Sequence, residues 1–166
     1  MNKKLSHWTY FLICGLLVML PKTAVLAEPQ TAKALVAQLY KAYAWEEDAS
    51  SNSNRRTLVQ EPREVLTQYF DNKLTGLILK EQACVKKTKE ICGLDFPPIW
   101  ASQDPSVSKK LNISTTNNPE IIVVAIHYVE NKPLKLTYHV VETKAGLRIS
   151  DIEYSNSPSL LKILSQ

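Results

Sequence analysis

The sequence predicts an α+β domain: N-terminal helices packed on a curved antiparallel sheet of three to four strands, with a short C-terminal helix. Two observations carry this expectation. Apolar residues recur every three or four positions from Leu35 to Ile78, then every second position from Leu111 onward. Turn residues at Asn131-Lys132-Pro133 and Ala145-Gly146 divide the second half into a meander.

Ahead of that pattern, Lys3 and Lys4 precede an unbroken apolar run, Tyr10 to Leu20, which Pro21 ends. Val25-Leu26-Ala27 then offers the compact residues that a signal peptidase accepts. Residues 1–27 are therefore expected to be a cleaved export signal, and residues 28–166 a single domain of periplasmic address. The run is shorter than the about 20 residues a membrane-spanning helix needs, so no stable anchor is expected after cleavage. Cys14 follows Ile13 inside the run, rather than a small residue at its end, which sets lipidation aside. Loss of Lys3, Lys4 and Lys22 reduces 20 basic residues to 17, against 16 acidic ones. A mature charge near +1 is not the footprint of a nucleic-acid binder. The small cluster Lys86, Lys87 and Lys89 reads as a solvated helix end.

The first helix starts after Thr31, an N-cap residue type, and carries Leu35, Val36, Leu39, Tyr40 and Tyr43 on one stripe to about Trp45. Residues 46–56 are polar, with Ala49 to Asn54 at their centre, and read as an exposed loop. Pro62 suits the first turn of a second helix that runs to residues 86–88 through Val65, Leu66, Tyr69, Phe70, Leu74, Leu77 and Ile78. Gly76 within that pattern is expected to mark a break or a close packing contact. Phe96, Ile99 and Trp100, set among three prolines in the irregular stretch 94–108, imply a loop that packs onto the domain. Ile122, Val124, Ile126 and Tyr128 share one strand face; Val123, Ala125, His127 and Val129 share the other, so this strand is expected to be central and covered on both sides. Leu134, Leu136, Tyr138 and Val140 mark the next strand, and Leu147, Ile149, Ile152 and Tyr154 the last. The slip between Ile149 and Ile152 predicts a bulge near Ser150-Asp151. Ser157-Pro158 opens a closing helix with Leu160, Leu161, Ile163 and Leu164, and the long helix is expected to lie across the concave face of the sheet.

The mature chain keeps only Cys84 and Cys92, and two cysteines in an oxidising compartment read as a disulfide. Closing so short a loop stabilises a fold by about 2.5 kcal/mol on the chain-entropy estimate. His127 and His139 fit no common zinc spacing with them, so no metal or other cofactor is expected. A three-residue turn at 132–134 would set the two histidines face to face, and a two-residue turn would put them on opposite sides of the sheet.

The order of elements, the Leu94 to Asp104 loop (LDFPPIWASQD) and the ending Gly146 to Tyr154 (GLRISDIEY) resemble small exported bacterial proteins of unknown function with an NTF2-like, cystatin-like fold. Leu147 and Pro97 depart from that group, where tryptophan and aspartate are usual. The resemblance implies a fold more than an activity, because this fold hosts enzymes, binders and scaffolds.

No nucleophile elbow, zinc-protease motif or phosphate-cradling loop is present, and four glycines leave little room for glycine-built sites. A carboxylate with a tyrosine in the concave pocket, drawn from Asp104, Asp151 and Tyr69, is the one catalytic arrangement open to such a fold. Trp100, Gln103 and Asp104 are the first partner-binding candidates, since tryptophan in a rigid loop often anchors interfaces. Tyr69, Tyr138 and His127 are the others. Two function classes follow. The first is a non-catalytic protein that binds another protein, such as an immunity protein against a periplasm-delivered toxin. The second is a protein that binds or transforms a small apolar ligand, which needs an open cavity lined by Tyr69, Tyr138 and Trp100.

Overall fold

The computed structural model describes residues 30–47, 55–103, 108–128 and 132–166. The leader 1–27 and Asp104 lie outside the described residues. Helix α1 (Ala32–Tyr43) begins at Thr31, whose Oγ1 accepts the Ala34 N–H at 3.1 Å and satisfies one free donor of the first turn. Its stripe Leu35, Val36, Leu39, Tyr40 and Tyr43 is buried. A 3₁₀ turn, Ala44–Glu47, continues the helix. Glu46 is buried there, which corrects the reading of an exposed loop from residue 46. The cause is tertiary: Glu46 Oε1 accepts the N–H of Leu58, the first residue of a second 3₁₀ turn, Leu58–Gln60.

What reads as one second helix is two. Helix α2 (Arg63–Tyr69) stops at Phe70, whose extended backbone forms a parallel bridge with Ile149. The Asp71 N–H donates to the Ile149 carbonyl at 3.0 Å. The Asp71 carboxylate then accepts the Leu74 N–H at 2.7 Å and restarts the chain as α3 (Asn72–Thr88). Gly76 marks neither a break nor a contact. It sits inside α3, and a Cβ added there would meet nothing within 4 Å.

Strands β1 (Ser108–Thr115), β2 (Ile121–Tyr128), β3 (Leu134–Thr143) and β4 (Gly146–Tyr154) form one antiparallel sheet in that order. The β3–β4 register runs His139 to Asp151 and then Val140 to Ile149, which leaves Ser150 as the extra residue of a bulge. Asp151 Oδ1 accepts the N–H groups of Ile152 and Leu161, at 2.8 and 2.9 Å, and so ties the bulge to the short helix α4 (Leu160–Leu164).

Helices cover the sheet face that carries Ile122, Val124, Ile126, Leu136, Tyr138 and Val140, all buried. The opposite face stays open. Val123 lies between Ser114 and Thr137, and Ala125 between Asn112 and Lys135; with such polar neighbours that face is solvated and both residues are only half-buried. β2 is thus an inner strand covered on one side, not two. The helix that crosses the sheet is α1, which packs on β1, β2 and β4; the longest helix, α3, rests mainly on α2 and α4 and touches the sheet at β4.

Candidate functional site

The helix-covered face is filled with aromatic side chains rather than hollow. Tyr138, Trp100 and Tyr69 are 0%, 2% and 6% exposed, so all three sit in the core and none is on the free surface. Tyr138 donates its hydroxyl to Tyr40 at 2.9 Å, and Tyr40 donates to the Ile99 carbonyl at 2.6 Å. The Tyr40 ring meets Trp100 edge-on at 5.6 Å and Tyr138 at 6.1 Å. Burial pushes both Tyr40 and Tyr138 well above the ordinary phenol pKa, so they stay neutral donors. Two further tyrosines hold the same loop: Tyr154 donates to the Pro98 carbonyl at 3.1 Å and Tyr128 to that of Trp100 at 3.2 Å. Three consecutive carbonyls of the proline-rich loop thus each accept one phenol, which is why Trp100 serves the core.

The remaining sequence candidates stand apart from one another. Gln103 is exposed and donates to Asp95 Oδ2 at 2.8 Å. His127 is half-buried on the open sheet face, opposite Lys110, while His139 pairs with Ile121. The two histidines share a side of the sheet but sit six register positions apart, or about 20 Å at the usual strand rise. Neither turn alternative matches that placement, because the β2–β3 hairpin closes on the pair Ile126–Leu134. His139 Nε2 lies 3.0 Å from Glu153 Oε1. Asp151 spends its carboxylate on backbone N–H groups, and among the described residues no three His, Cys, Asp or Glu side chains are placed to hold a metal.

Sequence reasoning passed over Glu46. It is 7% exposed, Oε1 accepts the Leu58 N–H, and Oε2 has no hydrogen-bond partner among the described residues. Burial, opposed in part by that backbone donor, pushes its pKa up to about 7. Glu61 stands nearby and hydrogen-bonds the Tyr43 hydroxyl; burial and then Glu61 push the Tyr43 pKa upward. A carboxylate of this kind can hold a proton near neutrality, and a surface depression of about 350 Å³ lined by Tyr43, Trp45, Arg55, Arg56 and Glu61 lies beside it.

A surface groove of about 400 Å³ on α3 has a different character. The apolar stripe of α3 passes through buried Leu74 and Ile78 and outruns the body of the domain, leaving Val85 39% exposed. Ile91, just past the helix, is 70% exposed; these two are the exposed large apolar side chains among the described residues. Val59 and Leu94 complete the apolar lining. Both walls are braced by adjacent residues of α3. Gln82 Nε2 donates to the Val59 and Glu61 carbonyls at 2.9 and 2.8 Å and holds the first wall. Glu81 Oε1 accepts the Gly93 and Leu94 N–H groups at 2.9 and 3.1 Å and holds the second. The Cys84–Cys92 disulfide, with Cα atoms 6.2 Å apart, staples that second wall to the helix. Neither Val85 nor Ile91 stood out in the sequence; the readable signal was the cysteine pair around them.

Compared with known proteins, the chain matches no family model, no curated protein and no solved structure. Among the described residues no helix is long and apolar enough to cross a membrane. That feature and the disulfide are compatible with an exported protein.

Proposed function

We propose that this chain is an exported, non-catalytic interaction protein of the periplasm, in an NTF2-like, cystatin-like arrangement, that seats a partner protein on the braced groove of α3. One observation carries the reading: aromatic packing occupies the interior, while among the described residues the exposed large apolar side chains, Val85 and Ile91, both line one braced groove. The small-ligand alternative requires a cavity lined by Tyr69, Tyr138 and Trp100, and their packing counts against it. Burying an isoleucine side chain fully contributes about 1.5–3 kcal/mol, so Ile91 alone is a useful anchor. Neutralising a toxin delivered into the periplasm is an interaction of this kind.

The test is photo-crosslinking in living cells, with the reactive group placed at Ile91 or, as a control, at Lys135 on the open sheet face. A discrete protein adduct from position 91 and none from position 135 is the expected result. No protein adduct from any surface position, together with a small molecule retained in the purified protein by mass spectrometry, would overturn the reading.

A further inference from the structure

We propose that the free edge of β1 pairs with the β1 edge of a second copy of this chain, antiparallel about a two-fold axis at Asn112, so that two four-stranded sheets join into one. This surface is separate from the α3 groove and stands without it. The two edges of the sheet are finished differently. On β4, Phe70 bridges Ile149, the Asp71 N–H donates to the Ile149 carbonyl at 3.0 Å, and Ser157 bridges Tyr154, so that edge is closed. β1 has no such cover among the described residues. The Thr116 N–H donates to the Ile121 carbonyl at 3.3 Å, which sets the alternation: Ser114, Asn112 and Lys110 turn their main-chain groups toward β2. Leu111, Ile113 and Thr115 turn theirs outward, and among the described residues those groups meet no hydrogen-bond partner. Neither proline nor a bulge, two usual defences of a bare edge, interrupts the stretch from Lys110 to Thr115.

The side chains favour a second copy as the occupant. A two-fold axis perpendicular to the sheet at Asn112 sets Leu111 of each copy against Ile113 of the other, Asn112 against Asn112, and Lys110 against Ser114. From Lys110 to Ser114, apolar residues then meet apolar ones, polar residues meet polar ones, and no like charges face each other. An axis at Leu111 would instead set Ile113 against Lys109, and an axis at Ile113 would set Leu111 against Thr115. The core also has an unfinished margin along this strand. Leu111 and Ile113 lie on the helix-covered face beside Ile126 and Val124, which are fully buried, yet both are only half-buried themselves. The helix layer stops short of β1, and the same two residues of a second copy complete the margin from the other side. The two Leu111–Ile113 pairs contribute about four main-chain hydrogen bonds. A single strand pair with its flanks falls at the small end of specific interfaces, so the dimer is weak and depends on concentration. Because β4 is closed, association ends at two copies.

Sedimentation velocity on the purified protein, disulfide intact, should show a monomer passing reversibly into a dimer between micromolar and millimolar concentration, with no larger species. Asn112→Lys sets two ammonium groups face to face at the axis and should weaken association at least tenfold. Its side chain is exposed, so an unchanged melting curve in dilute solution verifies the fold. Register is read independently by cysteine crosslinking under mild oxidation, since residues facing one another between the hydrogen-bonded pairs have Cα atoms about 4.5 Å apart, within disulfide reach. Asn112→Cys should join two copies, Ser114→Cys alone should not, and Ser114→Cys mixed with Lys110→Cys should give the mixed dimer. A monomer throughout the concentration range, larger oligomers, association untouched by Asn112→Lys, or crosslinks in another register would overturn the proposal. A segment of a different protein captured by a photo-reactive group at position 112, in place of a second copy, would overturn it as well.

Discussion

Glu46 makes the fold's stability depend on pH in a direction opposite to most carboxylates, and the substitution Glu46→Gln isolates the effect. In the folded chain its pKa is pushed up to about 7, from the 4.5 of an unburied glutamate. Between those values the folded state binds the proton more tightly than the unfolded state, so stability is highest in acid and falls as pH rises through 7. The difference in proton affinity corresponds to about 3 kcal/mol lost between pH 4.5 and pH 8. Gln at this position keeps the side-chain oxygen that accepts the Leu58 N–H but carries no charge at any pH. Urea denaturation of both proteins at half-unit steps across that range separates this group from every other titration, because the others cancel in the difference. Glu46→Gln should match the wild type near pH 4.5 and exceed it by about 3 kcal/mol at pH 8. Parallel pH profiles for the two proteins would refute the reasoning and mean that water or a cation reaches Oε2.

Three further outcomes follow from the packing. Tyr40→Phe removes the acceptor for Tyr138 and the donor to Ile99 at once; with two buried polar groups stranded, thermal or chemical denaturation should read a loss of about 2–4 kcal/mol. Asp71→Ala removes the cap of α3 and should cost about 1 kcal/mol, seen as a lower denaturation midpoint at unchanged m-value. Replacing Cys84 and Cys92 together by serine should cost about 2.5 kcal/mol. Hydrogen exchange in that variant should rise first at Gly93 and Leu94, whose N–H groups then depend on Glu81 alone.

Elements governed by local chemistry were readable in the sequence. Thr31 caps α1 through its own hydroxyl, Ser150 interrupts an otherwise regular alternation, and Phe96, Ile99 and Trp100 could not stay wet in a proline-rich loop. Features decided by contacts distant in sequence were not. The interruption at Phe70 was hidden because its side chain remains in the core, 1% exposed, so the apolar period runs through the break unbroken. Its local trace was the capping aspartate at 71, outweighed by the stronger pattern around it. Glu46 looked solvated among polar neighbours, and only the Leu58 N–H, brought back by the intervening chain, explains its burial. The groove escaped notice for a related reason. Val85 continues a core-facing period, and nothing in the sequence tells where the core beneath that period ends.

The pair Glu81 and Gln82 has a mechanical consequence. Successive side chains leave a helix about 100° apart, so two neighbours on one turn act as outriggers to opposite sides. The width between the strips they carry is then gauged on the helix barrel rather than across loops. Whatever α3 does in a collision or a thermal fluctuation, both strips travel with it. Under the proposed interaction the groove would meet a partner as a fixed mould, selecting by shape at the moment of encounter rather than by adjusting afterwards.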